Sequence, residues 1–463
     1  MKPFRWCELG CGPGANLIIN AATNPSGHFI GIDFNPEHIE QGRKKAAMAG
    51  LANLEFIECD FDKADGIASR NPFDFIVLHG LWSWIAPETR RSILVFIRRW
   101  LRPCGVLYLH HMTHPGMSSF AAGQHLLRRK GMQAGGPRPE QARSGRDFLA
   151  QLAQAGAGYF VIHPAEVTRL ENARHLTDGH LTHEFMNPHW EPLHVADVMD
   201  ELAGIGCRRL GSAVPIDNID AASLPAGVLP LLADQDDPGT REALKDLARN
   251  QTERRDLYAM GGEPLTAAEH RALLWEQPFV RLPGAPVLGG LTFDTRIGPV
   301  EGEAAVFDPV LRALADGPRT IGMLAQHRAF AAAPGILNQA LQMLSWAGCV
   351  HPLSSTRPPR EASWALNRIL AHEALKAGLP GHLAAPALGS GVPADLLGMA
   401  GALAILDAPA SCEEETGQRM LRLLGKHGHR GAAELGQGCA AWQRNVLPLW
   451  RQFGALPPAS VGL

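Results

Sequence analysis

At 463 residues the chain has room for about three domains, so a single hydrophobic core is not expected. Apolar residues make up 46% and charged residues 19%, and 43 basic against 46 acidic side chains leave a formal charge of -3, which excludes both a disordered chain and one that grips polyanions by bulk charge. With 49 glycines, 35 prolines and only eight lysines, the chain is turn-rich and draws its positive charge from arginine.

Through residue 115 the sequence alternates strand and helix patterns. Phe4 to Leu9 reads as a strand ending at Gly10, Ala15 to Ala22 as a helix, and Phe29 to Asp33 as a second strand, followed by a helix that Asn35 caps and Pro36 starts. Leu54 to Cys59 is the third strand and Phe73 to Leu78 the fourth. Ile93, Leu94, Phe96, Ile97, Trp100 and Leu101 recur at helical spacing; the Arg102-Pro103-Cys104-Gly105 turn is expected to stop that helix, and Val106 to His110 to form a fifth strand. This alternation specifies a parallel sheet with helices on both faces, over a first domain of residues 1–115.

From 116 to 150 the rhythm gives way to Gly, Arg and Gln, an excursion out of the sheet. Cys207 to Ile216 and Asp256 to Met260 are candidates for late strands that return to it, making 116–265 a middle region. Asp308 to Asp316, Ile321 to Ala329 and Pro334 to Ala347 are helix-like and Val350 to Leu353 is an extended, hairpin-like tail, which together suggest a winged-helix-like module over 300–355. Its third helix carries no Lys or Arg, so nucleic acid is not an expected partner. Thr356 to Glu361 reads as a linker into an Ala/Leu-rich helical region over 362–463.

Eight cysteines (Cys7, Cys11, Cys59, Cys104, Cys207, Cys349, Cys412, Cys439) form no CxxC pair, so reduced thiols and a cytoplasmic location are expected. The N-terminus has no apolar signal core, and the longest apolar run, Leu396 to Leu406, is well short of the roughly 20 residues a bilayer span needs. No membrane partner is expected.

Gly10, Gly12 and Gly14 lie between the first strand and the first helix, where glycine permits a tight turn and close backbone approach to a ligand. With Ala15 and Asp33 the loop also fits a dinucleotide fingerprint, so an NAD(P)-dependent oxidoreductase stays open at this point. Glu8, two residues before the loop, would repel a pyrophosphate and attract an ammonium or sulfonium. Asp33 ends the second strand, where a carboxylate can accept both ribose hydroxyls, and Phe34 beside it is counted among the cofactor contacts. Asp60 ends the third strand, placed to accept from an adenine amino group with Phe61 covering the ring; Asp62 and Asp65 are close enough to serve instead. The fourth strand delivers His79 to the same edge, and in open α/β sheets ligands sit at that edge.

This set resembles the class I S-adenosylmethionine-dependent methyltransferases, which carry an acid before Gly-x-Gly-x-Gly, a ribose acid after the second strand, an adenine-contacting acid after the third and a substrate-facing end of the fourth. The likeness covers about residues 4 to 112. His79-Gly80-Leu81-Trp82-Ser83-Trp84-Ile85-Ala86-Pro87 is similar to a loop of bacterial methyltransferases with a regulatory domain, and His183 to Asn187 and Arg254 to Tyr258 look like further pieces of that family, extending the likeness to about residue 260. Some members are protein-lysine methyltransferases acting on bacterial outer-membrane proteins. The resemblance implies a Rossmann-like class I sheet followed by largely helical domains, S-adenosylmethionine as cofactor, a protein or small-molecule amine as methyl acceptor, and room for a homodimer. A non-catalytic cofactor-binding scaffold is the alternative. Family members usually carry several dozen residues before the loop, whereas nine precede Gly10 here, so a truncated start or a weakened catalyst is expected.

Under this reading His79 is the catalytic candidate, as proton acceptor or hydrogen-bonding group, and Trp82 and Trp84 either wall the acceptor channel by cation–π contact or pack. Adjacent His110 and His111 on a strand face opposite sides and cannot easily share an ion with His114, so no metal site is expected. His183-Glu184 lacks the second histidine of a zinc-protease helix and reads as a structural pair or part of an acceptor cavity.

Overall fold

The computed structural model describes residues 2–64, 71–286, 288, 290–354, 360–407, 413–425 and 432–458; Met1, Asp65, Cys412 and residues 356–359 of the expected linker lie outside them. Strands β1 (Phe4–Leu9), β2 (Gly27–Asp33), β3 (Leu54–Glu58), β4 (Phe73–Leu78), β5 (Leu101–Met112), β6 (Cys207–Ser212) and β7 (Glu253–Met260) form one seven-stranded sheet in the order β3-β2-β1-β4-β5-β7-β6. β1, β2 and β3 run parallel, while β7 lies antiparallel to both β5 and β6. The late strands thus return to the sheet as expected, and they make it mixed.

Local signals explain the first elements. β2 reads Gly-His-Phe-Ile-Gly-Ile-Asp and is buried at every position but His28, as a strand covered on both faces must be. Helix α1 spans Ala15–Thr23; helix α2 spans Pro36–Met48, with the Asn35 side chain accepting from the Glu37 amide and Pro36 in the first turn. Helix α3 (Pro87–Trp100) hands over directly to β5. The expected Arg102–Gly105 turn is instead the outer part of β5. Cys104 holds a left-handed φ of 60° there, and pairing with β7 starts only at Val106, so the turn signal shows up as a local kink inside the strand.

Contacts divide the chain into two compact units, residues 1–60, 73–75 and 262–463 in one, and 61–72 and 76–261 in the other. In the first, helix Glu361–Ala377 and the hairpin Gly381–Ala385/Ser390–Ala394 pack on α1: Leu366 and Ala384 join Leu17, Phe29 and Phe56 in one cluster, Ser363 Oγ donates to the Ala22 carbonyl at 3.0 Å, and Asn24 donates to the Gly389 carbonyl at 2.9 Å. The winged-helix-like elements are helices Ala304–Ala315, Ile321–Ala325 and Pro334–Trp346 with strand Val350–Pro352. The tail does not close a hairpin; it pairs antiparallel with Pro278–Arg281, upstream of the expected module, and Arg319–Thr320 pairs on the same strand. The second expected helix stops at Ala325.

In the second unit, the glycine-rich stretch after residue 116 is helical, Phe120–Ala134 followed by Arg138–Gln154. Its glycines mark a close crossing: a Cβ on Gly145 would lie 2.2 Å from the Leu127 carbonyl oxygen, and one on Gly131 2.4 Å from that of Gln141. Arg254 of β7 is buried among three carboxylates, 2.7 Å from Asp256, 2.6 Å from Glu242 and also paired with Asp246, with Arg209 bridging Asp256 and Glu242. This cluster ties β7 to helix Pro238–Arg249. Arg254→Met leaves its carboxylates without their central cation and should cost about 3–5 kcal/mol in denaturant unfolding of the full chain; a loss below about 1 kcal/mol would show the cluster to be dispensable.

Candidate active site

β1 ends in Cys7-Glu8-Leu9, all three buried. One oxygen of the Glu8 carboxylate has no hydrogen-bond partner, Asn16 hydrogen-bonds the group, and burial pushes its pKa up to about 8. A buried acid without a cation is costly. The geometry therefore fits a positively charged ligand group at this strand end, as the α-ammonium of S-adenosylmethionine would be.

The chain then turns through Gly10, Gly12 and Gly14, with φ of 72°, 54° and 75°, the left-handed region that glycine enters without penalty. Gly10 and Cys11 both donate to the Ile32 carbonyl, which fastens the loop to the end of β2. Asp33, also buried, holds the loop from the other side: Oδ2 accepts from the Gly12 amide and Oδ1 from the Asn35 amide, each at 2.9 Å, with His38 Nδ1 at 3.5 Å from Oδ1. The ribose acid of the sequence reading is thus also the loop's anchor. Phe34 beside it is 61% exposed, Asp60 and Asp62 are exposed, and Phe61 is buried, so the aromatic face open to solvent is that of Phe34.

The other group of predicted residues lies in the second unit. His79 follows β4, its Nδ1 3.0 Å from the Tyr108 hydroxyl, its ring stacked on His110 at 4.7 Å. The Gly80 amide donates to His110 Nδ1 at 3.0 Å, so the His110 proton sits on Nε2, directed at Glu253 3.1 Å away. That hydrogen bond, with Arg255 alongside, holds Glu253 down at about 2. Lost solvation, with His110 and Arg255 nearby, pushes His79 down to about 4, so its ring is neutral near pH 7.

Trp84 is buried, yet its ring packs against His110 and His183 at 6.2 and 5.2 Å. His183 in turn donates from Nε2 to the Gly80 carbonyl at 3.1 Å. Trp82 is fully buried, its carbonyl accepting from Arg90, and has no face left to wall an acceptor channel. His111 is also fully buried, with Nδ1 2.9 Å from the Met112 carbonyl, away from the partners of His110. Among the described residues no group of three His, Cys, Asp or Glu side chains could hold a metal ion, and no helix is long and apolar enough to cross a membrane.

Sequence reasoning found His79 and Trp84 but assigned no part to Tyr108 or Glu253 and weighed His110 only as a metal ligand. Tyr108 and His110 share a face of β5 by their two-residue spacing, a signal the sequence does carry. Glu253 becomes visible only once β7 is known to pair with β5.

The loop yields a paired test. A Cβ at Gly12 meets nothing within 4 Å, whereas one at Gly14 would lie 2.4 Å from the Phe56 ring. Gly12→Ala should cost only the left-handed strain of about 1–2 kcal/mol yet block close ligand approach, while Gly14→Ala should destabilise the free protein more. Thermal unfolding alongside S-adenosylhomocysteine titration checks this; unimpaired binding by folded Gly12→Ala would contradict it.

Residues 2–132 match the family described as a methyltransferase domain, and residues 177–260 that described as a predicted methyltransferase regulatory domain. The Synechocystis protein sll1526, described as uncharacterised, is 32% identical over 405 residues, 86% of this chain and 79% of that protein. RP789 of Rickettsia prowazekii, also uncharacterised, is 37% identical over 109 residues, 24% of this chain and 19% of that protein. Among solved structures, PKMT2 from Rickettsia typhi in complex with AdoHcy superposes with a TM-score of 0.71 at 15% identity, covering 98% of this chain and 94% of that one, and so shares its fold. Glu8 and the matched domains leave no support for the nicotinamide alternative. With an acid poised for an ammonium before its glycine loop, a matching methyltransferase domain and a matching regulatory domain, the chain belongs to the class I S-adenosylmethionine-dependent methyltransferases that carry a methyltransferase regulatory domain.

Proposed function

We propose that the acceptor is the side-chain amine of a protein lysine, methylated in the cytoplasm. The observation that carries this reading is the neutral, stacked His79, which can hydrogen-bond an uncharged amine without confronting it with a second positive charge. The likeness to bacterial protein-lysine methyltransferases at His79–Pro87, His183–Asn187 and Arg254–Tyr258 favours the same acceptor.

S-adenosylmethionine supplies an electrophilic methyl group. The C–S bond breaks as the C–N bond forms, S-adenosylhomocysteine leaves, and the acceptor nitrogen sheds a proton. In such an in-line displacement the protein chiefly orients the reactants. In the tautomer that carries its proton on Nδ1, facing Tyr108 Oη, His79 presents Nε2 as an acceptor for an amine N–H. Its pKa of about 4 makes it too weak a base to retain a lysine proton, so the proton goes on to water and His79 serves as an orienting group. The stack on His110, whose tautomer Gly80 and Glu253 fix, holds the ring in place.

Tritiated-methyl labelling of a bacterial extract should place label on protein lysines and lose it with Asp33→Ala, an outcome a non-catalytic scaffold cannot give. His79→Gln should stay within about tenfold of wild type, His79→Ala should fall by about ten- to a hundredfold, and the wild-type rate profile should show no inflection near 6.5 from this histidine. A wild-type inflection near 6.5 that vanishes in His79→Gln would restore the base role.

A further inference from the structure

The second unit contains a cleft of about 590 Å³ between helices Pro164–Asn172 and Asp178–Met186, lined in part by the His183-Glu184 pair that the sequence left open between a structural pair and part of an acceptor cavity. Ala173, Leu176 and Phe185 supply apolar wall, and His180, His183 and Glu184 supply polar groups. Glu184 is half-buried, and no cationic side chain among the described residues forms an ion pair with it; the Trp190 indole donates to it over a long 3.4 Å. The one cation on the wall, Arg169, is already committed, 2.7 Å from buried Glu166 and over the ring of Phe120. Burial outweighs the longer-range pull of Arg169 and His110 on Glu184, and the cleft keeps one carboxylate without an ion-pair partner among the described residues.

A slot with apolar sides and a single half-buried acid suits a primary ammonium on a short methylene stem: the stem covers apolar surface and the head satisfies the acid. Arginine suits it less well, because Glu184 already spends one oxygen on Trp190 and a guanidinium seeks two. The cleft also connects to the fourth-strand loop, since His183 on its wall donates to the Gly80 carbonyl next to His79. We infer that this cleft first receives the ammonium-bearing side chain of the methyl acceptor, with Glu184 as the positioning residue that selects for positive charge; the amine loses its proton before it meets His79. The inference rests on the amine-acceptor reading above. Burial already raises the Glu184 carboxyl, so an entering ammonium relieves a cost the free protein carries.

The test uses the full chain and n-butylammonium, the lysine side chain without its backbone, in ligand-observed NMR. Wild type should bind it, and Glu184→Gln should bind about tenfold more weakly or worse. Leu176→Arg, a charge added at an exposed wall position, should weaken it as well while S-adenosylhomocysteine affinity stays unchanged in both variants. Equal binding by wild type and Glu184→Gln, or preferential binding of n-butyrate lost in Arg169→Gln, would overturn the assignment. Labelling separates this from the acceptor reading: a wild type that methylates no amine overturns both, whereas lysines labelled equally by wild type and Glu184→Gln at low acceptor concentration overturn the cleft alone.

Discussion

A buried carboxylate without a counter-charge is the constraint around which the cofactor end of this protein is built. Glu8 sits between Cys7 and Leu9 at the end of β1, with Asn16 as a hydrogen-bond partner but no ion-pair partner among the described residues. Its ordinary pKa would leave it ionised near neutrality, but burial raises it to about 8, so the native state holds a proton that the unfolded chain releases above about 4.5. Folding stability contributed by this group is therefore lost as pH rises from about 4.5 towards 8. A site that accepts this cost is set up for a ligand that brings its own positive charge.

The Arg254 cluster shows the opposite solution to the same problem. There Arg254 and Arg209 face Glu242, Asp246 and Asp256, with Lys245 3.2 Å from Glu242, so nearly every buried charge meets its opposite inside the protein. Asp256 stays below the usual carboxylate range because the arginines outweigh its burial. Charge paired in this way fixes β7 against its covering helix. Compensation thus marks the Arg254 motif, read from sequence as a family signature, as framework, while Glu8 and Glu184, the acids of the proposed sites, form no ion pair among the described residues.

Much of the first domain was legible because its signals are local. The Asn35 cap, the Pro36 start and the buried apolar run of β2 depend on near neighbours, and β1 and β4 fall where the sequence places them. What was misread depends on distant chain. The Val350–Pro352 strand needs Pro278–Arg281 to pair with, 69 or more residues upstream, and so looked like a hairpin. Gly131 and Gly145 looked like loop residues because only the facing helix reveals why a Cβ is excluded. Trp82 carries the composition of a binding wall, and only its burial shows that it packs. Of the proposed site residues, Glu8, Asp33 and His79 carry a positional signal in the sequence, whereas the hold of Asp33 on Gly12 and of Glu253 on His110 required the tertiary fold.

Proton release on ligand binding tests the central claim most directly. When S-adenosylhomocysteine is titrated into the full chain by calorimetry in buffers of different ionisation enthalpy, wild type should release close to one proton at pH 7, and affinity should rise about tenfold per unit between pH 6 and 7.5. Glu8→Gln should bind more weakly and lose both the release and the slope. A wild-type affinity independent of pH over this range, or a slope that survives Glu8→Gln, would contradict the account.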